Sequence, residues 1–182
     1  MNRRIDVTIT YLEQRTRPTF PAPPRPPGKT AMLRADPCPV HFYRYLYAIV
    51  GEPWKWVSRK RLKDADLARI LADPAVSVYV LYVGGAPAGF AEIEQHADKT
   101  ADIKFFGLVP EQIGRGLGRY FLANILDVVW AAAPSRVALE TCTLDHPAAL
   151  PLYQKMGFSA YDQKRGVVEV TDEEAVKAGA AR

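Results

Sequence analysis

Cysteine is scarce in this chain of 182 residues: only Cys38 and Cys142 occur, far apart and in no Cys-x-x-Cys pair. Neither a disulfide framework nor a cysteine-based metal site is implied, and both are expected as reduced thiols. Long apolar runs are missing too. No stretch approaches the roughly 20 apolar residues that cross a bilayer, and Met1 to Asp6 is polar and charged, without the apolar core of a signal peptide. No membrane partner and a cytoplasmic location are therefore expected. Nor is there a strong charge bias. The 24 basic and 20 acidic residues leave a formal net charge of +4, which suits an anionic ligand and is weak support for nucleic acid. The densest basic cluster, Arg59, Lys60, Arg61 and Lys63, reads as a solvated patch with no nucleic-acid module around it. What is present is ordinary: 48% hydrophobic residues and 24% charged, enough for one sizeable core. A single domain over 1–182 is the expectation.

Along the chain, Ile5 to Leu12 is rich in β-branched and aromatic residues and predicts a first strand. Pro18, Pro21, Pro23, Pro24, Pro26 and Pro27 then remove backbone donors, so a Pro-rich surface loop is expected over about 16–39. From Val40 the spacing turns helical through Phe42, Tyr45 or Leu46, and Ile49, and Gly51 and Pro53 end the run. A shorter helix is predicted from Asp64, as N-cap, to just before Pro74. Val76 to Val83 and Ala88 to Gln95 read as a hairpin turning at Gly84 and Gly85, with a further strand over Ala101 to Val109. A helix starting within Gly114 to Gly118 carries Leu117, Phe121, Ile125, Val128 and Val129 on one face. A strand from Arg136 to Thr141, a short helix from Pro147 to Met156 and a strand from Phe158 follow. The tail from Thr171 is expected to be a frayed helix or disordered. This order implies an α/β architecture with a mixed sheet flanked by helices.

The chemistry is concentrated in Phe105 to Leu122, where a strand, a turn with Gly114, Gly116 and Gly118, and an amphipathic helix with Arg115 and Arg119 near its start succeed one another. Alternating glycines leave N–H groups unshielded at the positive end of a helix, which makes an anion site. A dinucleotide fold would need a third glycine where Arg119 or Phe121 stands. Gly28-Lys29-Thr30 imitates the end of a P-loop, but Pro23 occupies its first glycine position. The pyrophosphate loop of a coenzyme A transferase is the third reading.

Leu108-Val109-Pro110 followed by Gly114-Arg115-Gly116-Leu117-Gly118 resembles the acyl-CoA-binding motif of the GNAT N-acyltransferase superfamily, with Ile113 in place of the usual Gln or Arg. Downstream, Ala149, Tyr153, Gly157 and Phe158 fall on the family's N-x-x-A-x-x-x-Y-x-x-x-G-F pattern, with His146 at the Asn position. The resemblance covers about Tyr79 to Tyr161. It implies a mostly antiparallel twisted sheet of the acyl-CoA N-acyltransferase type, acetyl-CoA as cosubstrate, no metal, and transfer of an acetyl group to a primary amine. It also implies cofactor contacts at Leu108, Val109, Gly114, Arg115, Gly116, Leu117, Gly118, Arg119 and His146. Tyr153 is the implied acid for the departing thiolate. Asp102 is the first candidate base, read as sharing a strand face with Lys104 and Phe106; Glu92 is second, with Glu94 and His146 as rivals. Phe42, Tyr43, Tyr45, Tyr47, Trp54 and Trp56 either line an acceptor pocket or form core and a homodimer surface. The alternatives in other classes are a non-catalytic acyl-CoA-binding sensor or interaction module, and a dinucleotide-dependent enzyme.

Overall fold

A computed structural model describes residues 2–171. Seven strands, β1 (Asn2–Gln14), β2 (Thr30–Arg34), β3 (Val76–Val83), β4 (Ala86–Gln95), β5 (Thr100–Leu108), β6 (Arg136–Cys142) and β7 (Ser159–Thr171), form one sheet in the order β2-β3-β4-β5-β6-β1-β7. Four helices flank it: α1 (Val40–Gly51), α2 (Asp64–Ala72), α3 (Leu117–Ala131) and α4 (Ala149–Lys155). Every strand pair is antiparallel except β5 and β6. The parallel pair is obligatory there, because α3 crosses over from the end of β5 to the start of β6. The α/β class and the mixed, mostly antiparallel sheet flanked by helices are as expected.

Two apolar clusters occupy opposite faces of the sheet. Phe121, Leu122, Ile125, Leu126 and Val129 of α3 pack with Leu12, Ala91, Ile93, Ile103 and Leu139 on one face. Tyr43, Leu46, Tyr47 and Val50 of α1 and Leu67 of α2 pack with Val78, Val80 and Phe90 on the other. The helical spacing of the apolar residues determines which stripe of each helix is buried.

Three details differ from the sequence reading. The expected loop over 16–39 contains a strand: beyond Pro27 the chain regains its N–H donors, and Thr30 to Arg34 pairs with Val83 to Tyr79 of β3. Asp64 is the first residue of α2, and Lys63 takes the N-cap position without a side-chain bond. The first strand runs from Asn2 to Gln14, longer than the predicted Ile5 to Leu12, and it lies between β6 and β7, pairing with both. The expected frayed or disordered tail from Thr171 lies, beyond Thr171 itself, outside the described residues.

A bulge in β5 matters for the site. The register with β4 steps from Glu92 opposite Phe105 to Ile93 opposite Ile103, leaving Lys104 as the extra residue. Alternation is broken there. Ala101, Ile103 and Phe106 all face the α3 side, whereas Phe105 faces α1. Asp102 and Phe106 therefore do not share a face, contrary to the simple alternation read from sequence.

Candidate active site

The bulge and the crossover together open a cleft. β5 and β6 pair only at Thr100, Ala101 and Asp102 opposite Arg136, Val137 and Ala138, although both strands run on, to Leu108 and Cys142. Beyond that point they diverge. Just past the end of β5, the Val109 N–H bonds the Ala88 carbonyl of β4 at 2.9 Å, and Gly107 within β5 stands opposite Phe90. A residue in an antiparallel ladder turns its N–H and C=O to one side, and its neighbours turn theirs to the other. The main-chain groups of Phe106 and Leu108 thus face away from β4, into the gap that β6 has left. Val109 was expected to contact a cofactor, but its amide is already engaged and its side chain is buried on the α1 face.

The gap is the upper part of a cleft of about 650 Å³ lined by Phe106, Gly107, Leu108, Gly114, Gly116, Gly118, Arg119, His146, Leu152 and Tyr153, among others. At one end stands the glycine turn. Gly114 and Gly116 have φ of +80° and +77°, values that L side chains rarely adopt, and a Cβ on either would meet nothing within 4 Å. The open space before these two residues adjoins the first turn of α3, where N–H groups lack helical partners. An anionic group fits such a cradle. Arg119 lines it, whereas exposed Arg115 donates to Gln112 Oε1 at 3.0 Å. The Leu117 side chain is buried in the core, so only its backbone can serve a ligand.

Tyr153 also lines the cleft, 7% exposed, its ring held edge-on to Phe106 at 6.3 Å and to Phe158 at 6.2 Å. Burial, and secondarily the charge of Asp145, pushes its phenol well above the usual tyrosine range. The hydroxyl stays protonated at any physiological pH and remains a proton donor. Burial also raises Tyr43, beside the carboxylate of Glu92, and Tyr47. A raised phenol favours the protonated folded state, so this stability is complete below about pH 10 and is lost as pH rises further. Urea midpoints measured from pH 8 to 11 are accordingly expected to hold to about pH 10 and then fall.

His146 lines the cleft between Trp54, edge-on at 5.1 Å, and the start of α4. Its Nδ1 accepts the Ala148 N–H at 3.0 Å, so in the neutral ring the proton sits on Nε2.

The structure does not bring the candidate carboxylate bases into this cleft. Asp102 lies four residues before Phe106, roughly 13 Å along a strand, in a surface cluster with His96 Nε2 at 3.2 Å and Lys104 Nζ at 3.8 Å. Glu94 belongs to the same cluster. Glu92 is fully buried on the α1 face, where Tyr43 Oη donates to one oxygen and Arg59 to the other. The carboxylate that does line the cleft is Asp145, which the sequence reading passed over. Its Oδ2 accepts from Thr141 Oγ1 at 2.7 Å and the Cys142 N–H at 2.9 Å, and its Oδ1 accepts from Trp56 Nε1 at 3.1 Å. An aspartate just after a strand was the available signal, but Trp56 is 89 residues away in the chain.

The sequence profile of the acetyltransferase (GNAT) family matches residues 42–158. No curated protein matches the chain. Among solved structures, a putative acetyltransferase from the GNAT family of Novosphingobium aromaticivorans aligns at 19% identity with a TM-score of 0.61, over 93% of this chain and 68% of that one. A GCN5-related N-acetyltransferase from Sphaerobacter thermophilus aligns at 18% identity and TM-score 0.59, over 90% of this chain and 51% of that one. An aminoglycoside acetyltransferase from an uncultured soil metagenomic sample, in complex with trehalose, aligns at 14% identity and TM-score 0.60, over 74% and 91%. At these identities the structures share the fold. This chain spans only about half the length of the Sphaerobacter protein.

Proposed function

Because the chain belongs to the acetyltransferase (GNAT) family, we propose that it transfers the acetyl group of acetyl-CoA directly to a primary amine. The observation that carries this reading is the divergence of β5 and β6 after Asp102, which frees the main-chain groups of Phe106 and Leu108 between a glycine anion cradle and a buried tyrosine. When bound, acetyl-CoA supplies a thioester carbonyl open to attack and a thiolate as leaving group.

The chain's own residues divide the work along the cleft. The turn of Gly114, Gly116 and Gly118, with the first turn of α3 and Arg119, holds phosphate. The Phe106 and Leu108 amides orient the acyl end, where fixed donors act on a carbonyl that gains charge. Tyr153 Oη donates a proton at the sulfur position, and its high pKa keeps that proton available. Asp145 is occupied by three donors, and Asp102 and Glu92 lie outside the cleft lining. The amine therefore loses its proton to water at the cleft mouth. A primary amine of pKa ~10.4 is neutral in only about one molecule in 2,500 at pH 7, so kcat/KM is expected to rise almost tenfold per pH unit up to pH 9.

Thermal unfolding with acetyl-CoA, with NADH and ATP as controls, tests the reading without knowledge of the acceptor. A ligand of the native state at ~100 times its Kd adds about 2.7 kcal/mol, or roughly 5–10 °C for a chain of this size. A selective shift with acetyl-CoA is expected; its absence at millimolar acetyl-CoA overturns the proposal. Binding without transfer to any of a broad range of amines would make the chain a binding module instead.

Gly116→Ala is expected to abolish the shift at concentrations that saturate the wild type. Its control is Gly28→Ala, in the proline-rich connector. Gly28 also has positive φ, +88°, and open space around a Cβ, so the substitution imposes a similar strain of about 1–2 kcal/mol yet should leave the shift intact.

A further inference from the structure

The cleft and a second cavity are linked through one side chain, Trp56, which lines the second and touches two residues that line the first. On the α1 face a cavity of about 210 Å³ is lined by Tyr43, Tyr47, Trp56 and Leu67, with Arg44, Arg59, Lys60 and Glu52 also on its wall. Trp56 is the partition. On the cavity side its indole meets Tyr47 at 5.7 Å and Phe105 at 5.3 Å. On the cleft side its Nε1 donates to Asp145 and its edge lies over Gly107, both of which line the cleft.

The seat of this indole is built with unusual care. A Cβ on Gly51 would stand 2.6 Å from Trp56 Cε3, and one on Gly107 would stand 2.5 Å from Val50 Cγ1 and 3.4 Å from Trp56 Cη2. Both positions are glycine where a Cβ would collide with the ring or with Val50 behind it. Asp145, itself fixed by Thr141 and the Cys142 amide, sets the ring's rotation. None of this is needed to hold phosphate or to protonate a thiolate. It places a rigid aromatic wall beside the reacting end of the cleft.

Charge narrows what can lie against that wall. The cavity lining holds three cationic side chains and one carboxylate, and each cation is already paired: Arg44 with Asp64, Arg59 with Glu92 and Lys60 with Glu52. A polycation finds no free carboxylate there and meets like charges instead. An uncharged apolar or aromatic group meets tyrosine, tryptophan and leucine.

Resting on the proposed amine acetylation, we propose that Trp56, positioned by Asp145, determines acceptor specificity: the α1 cavity takes the apolar or aromatic group of a small monoamine whose amino group reaches the cleft along the indole edge. Polyamines and aminocyclitols are poor acceptors.

The test compares kcat/KM for 2-phenylethylamine, spermidine and kanamycin at fixed acetyl-CoA, in the wild type, Trp56→Phe and Trp56→Ala. In the wild type, 2-phenylethylamine should exceed both polycations at least tenfold. Trp56→Ala should lower that preference by about 10–100-fold, the range for losing apolar contact with a substrate group. Trp56→Phe, which keeps a ring on the same seat, should retain most of it. A ratio of rates on one preparation is insensitive to the amount of folded enzyme, so destabilisation alone does not move it, and Trp56→Phe serves if Trp56→Ala does not fold. Saturable binding of 2-phenylethylamine to the CoA-loaded chain, followed by calorimetry, separates the two proposals. Binding without turnover of any amine sinks the transferase reading and leaves the cavity assignment standing. Acetylation of polycations, with 2-phenylethylamine neither bound nor acetylated, sinks the cavity assignment and leaves the transferase. An unchanged preference in Trp56→Ala overturns the role of Trp56.

Discussion

Tyr153→Phe is expected to lower turnover about 100-fold, the lower end of what a positioned acid contributes, while leaving the acetyl-CoA-induced thermal shift in place. The variant is a clean one. Tyr153 packs through its ring, edge-on to Phe106 and Phe158, and phenylalanine keeps both contacts. Only the hydroxyl, the group with the raised pKa, is lost. An interaction made only as the reaction proceeds lowers kcat and kcat/KM together, and that equal loss is the expected signature. A rise in KM with kcat unchanged would reduce Tyr153 to a binding residue. The pH profile gives an independent reading. Because burial holds the Tyr153 proton well beyond the ordinary tyrosine range, wild-type kcat should show no alkaline limb from this group up to about pH 10.

The second large effect is on stability. Glu92→Ala is expected to cost about 3–5 kcal/mol, the loss typical when one partner of a buried ion pair is removed. Glu92 is wholly buried, and it is the counter-charge of Arg59 and the acceptor of the Tyr43 hydroxyl. Arg59 is only 17% exposed and its Nε already lacks a partner, so it cannot recover in water what it would lose. The expected fall in Tm is roughly 6–20 °C. Arg59→Met combined with Glu92→Met should cost much less than Glu92→Ala, since a matched apolar pair leaves no charge stranded. If Glu92→Ala melts within 2 °C of wild type, the pair is not the structural unit described here. Glu92→Gln adds a functional check: it keeps an acceptor for Tyr43 and should retain activity, whereas an enzyme using Glu92 as base would lose it.

Much of this was legible without coordinates, for identifiable reasons. The helices α1 and α3 and the strands β3 to β6 are written in local periodicity and bounded by Gly and Pro, so their positions follow from short-range sterics and side-chain spacing. The glycine turn is also local: φ values near +80° at the alternate residues Gly114 and Gly116 favour a residue without Cβ, and that demand is visible as a pattern. So is the position of Tyr153 within a recurring motif.

Other features were closed to a linear reading. Asp102 looked well placed because alternation carried it to the face of Phe106, but a one-residue bulge at Lys104 reversed that face. The availability of Leu108 and the engagement of Val109 depend on which strand each amide meets. Asp145 was silent in sequence because its meaning comes from Trp56, on the other side of the sheet. The chain by itself therefore determined most of the elements and the glycine turn, which rest on local spacing and backbone sterics, whereas β2 and the burial of Tyr153 against Phe106 needed distant partners. The cleft, the partition and the fate of each carboxylate were decided only by tertiary structure, because they depend on where two parallel strands part and on pairings between residues dozens of positions apart.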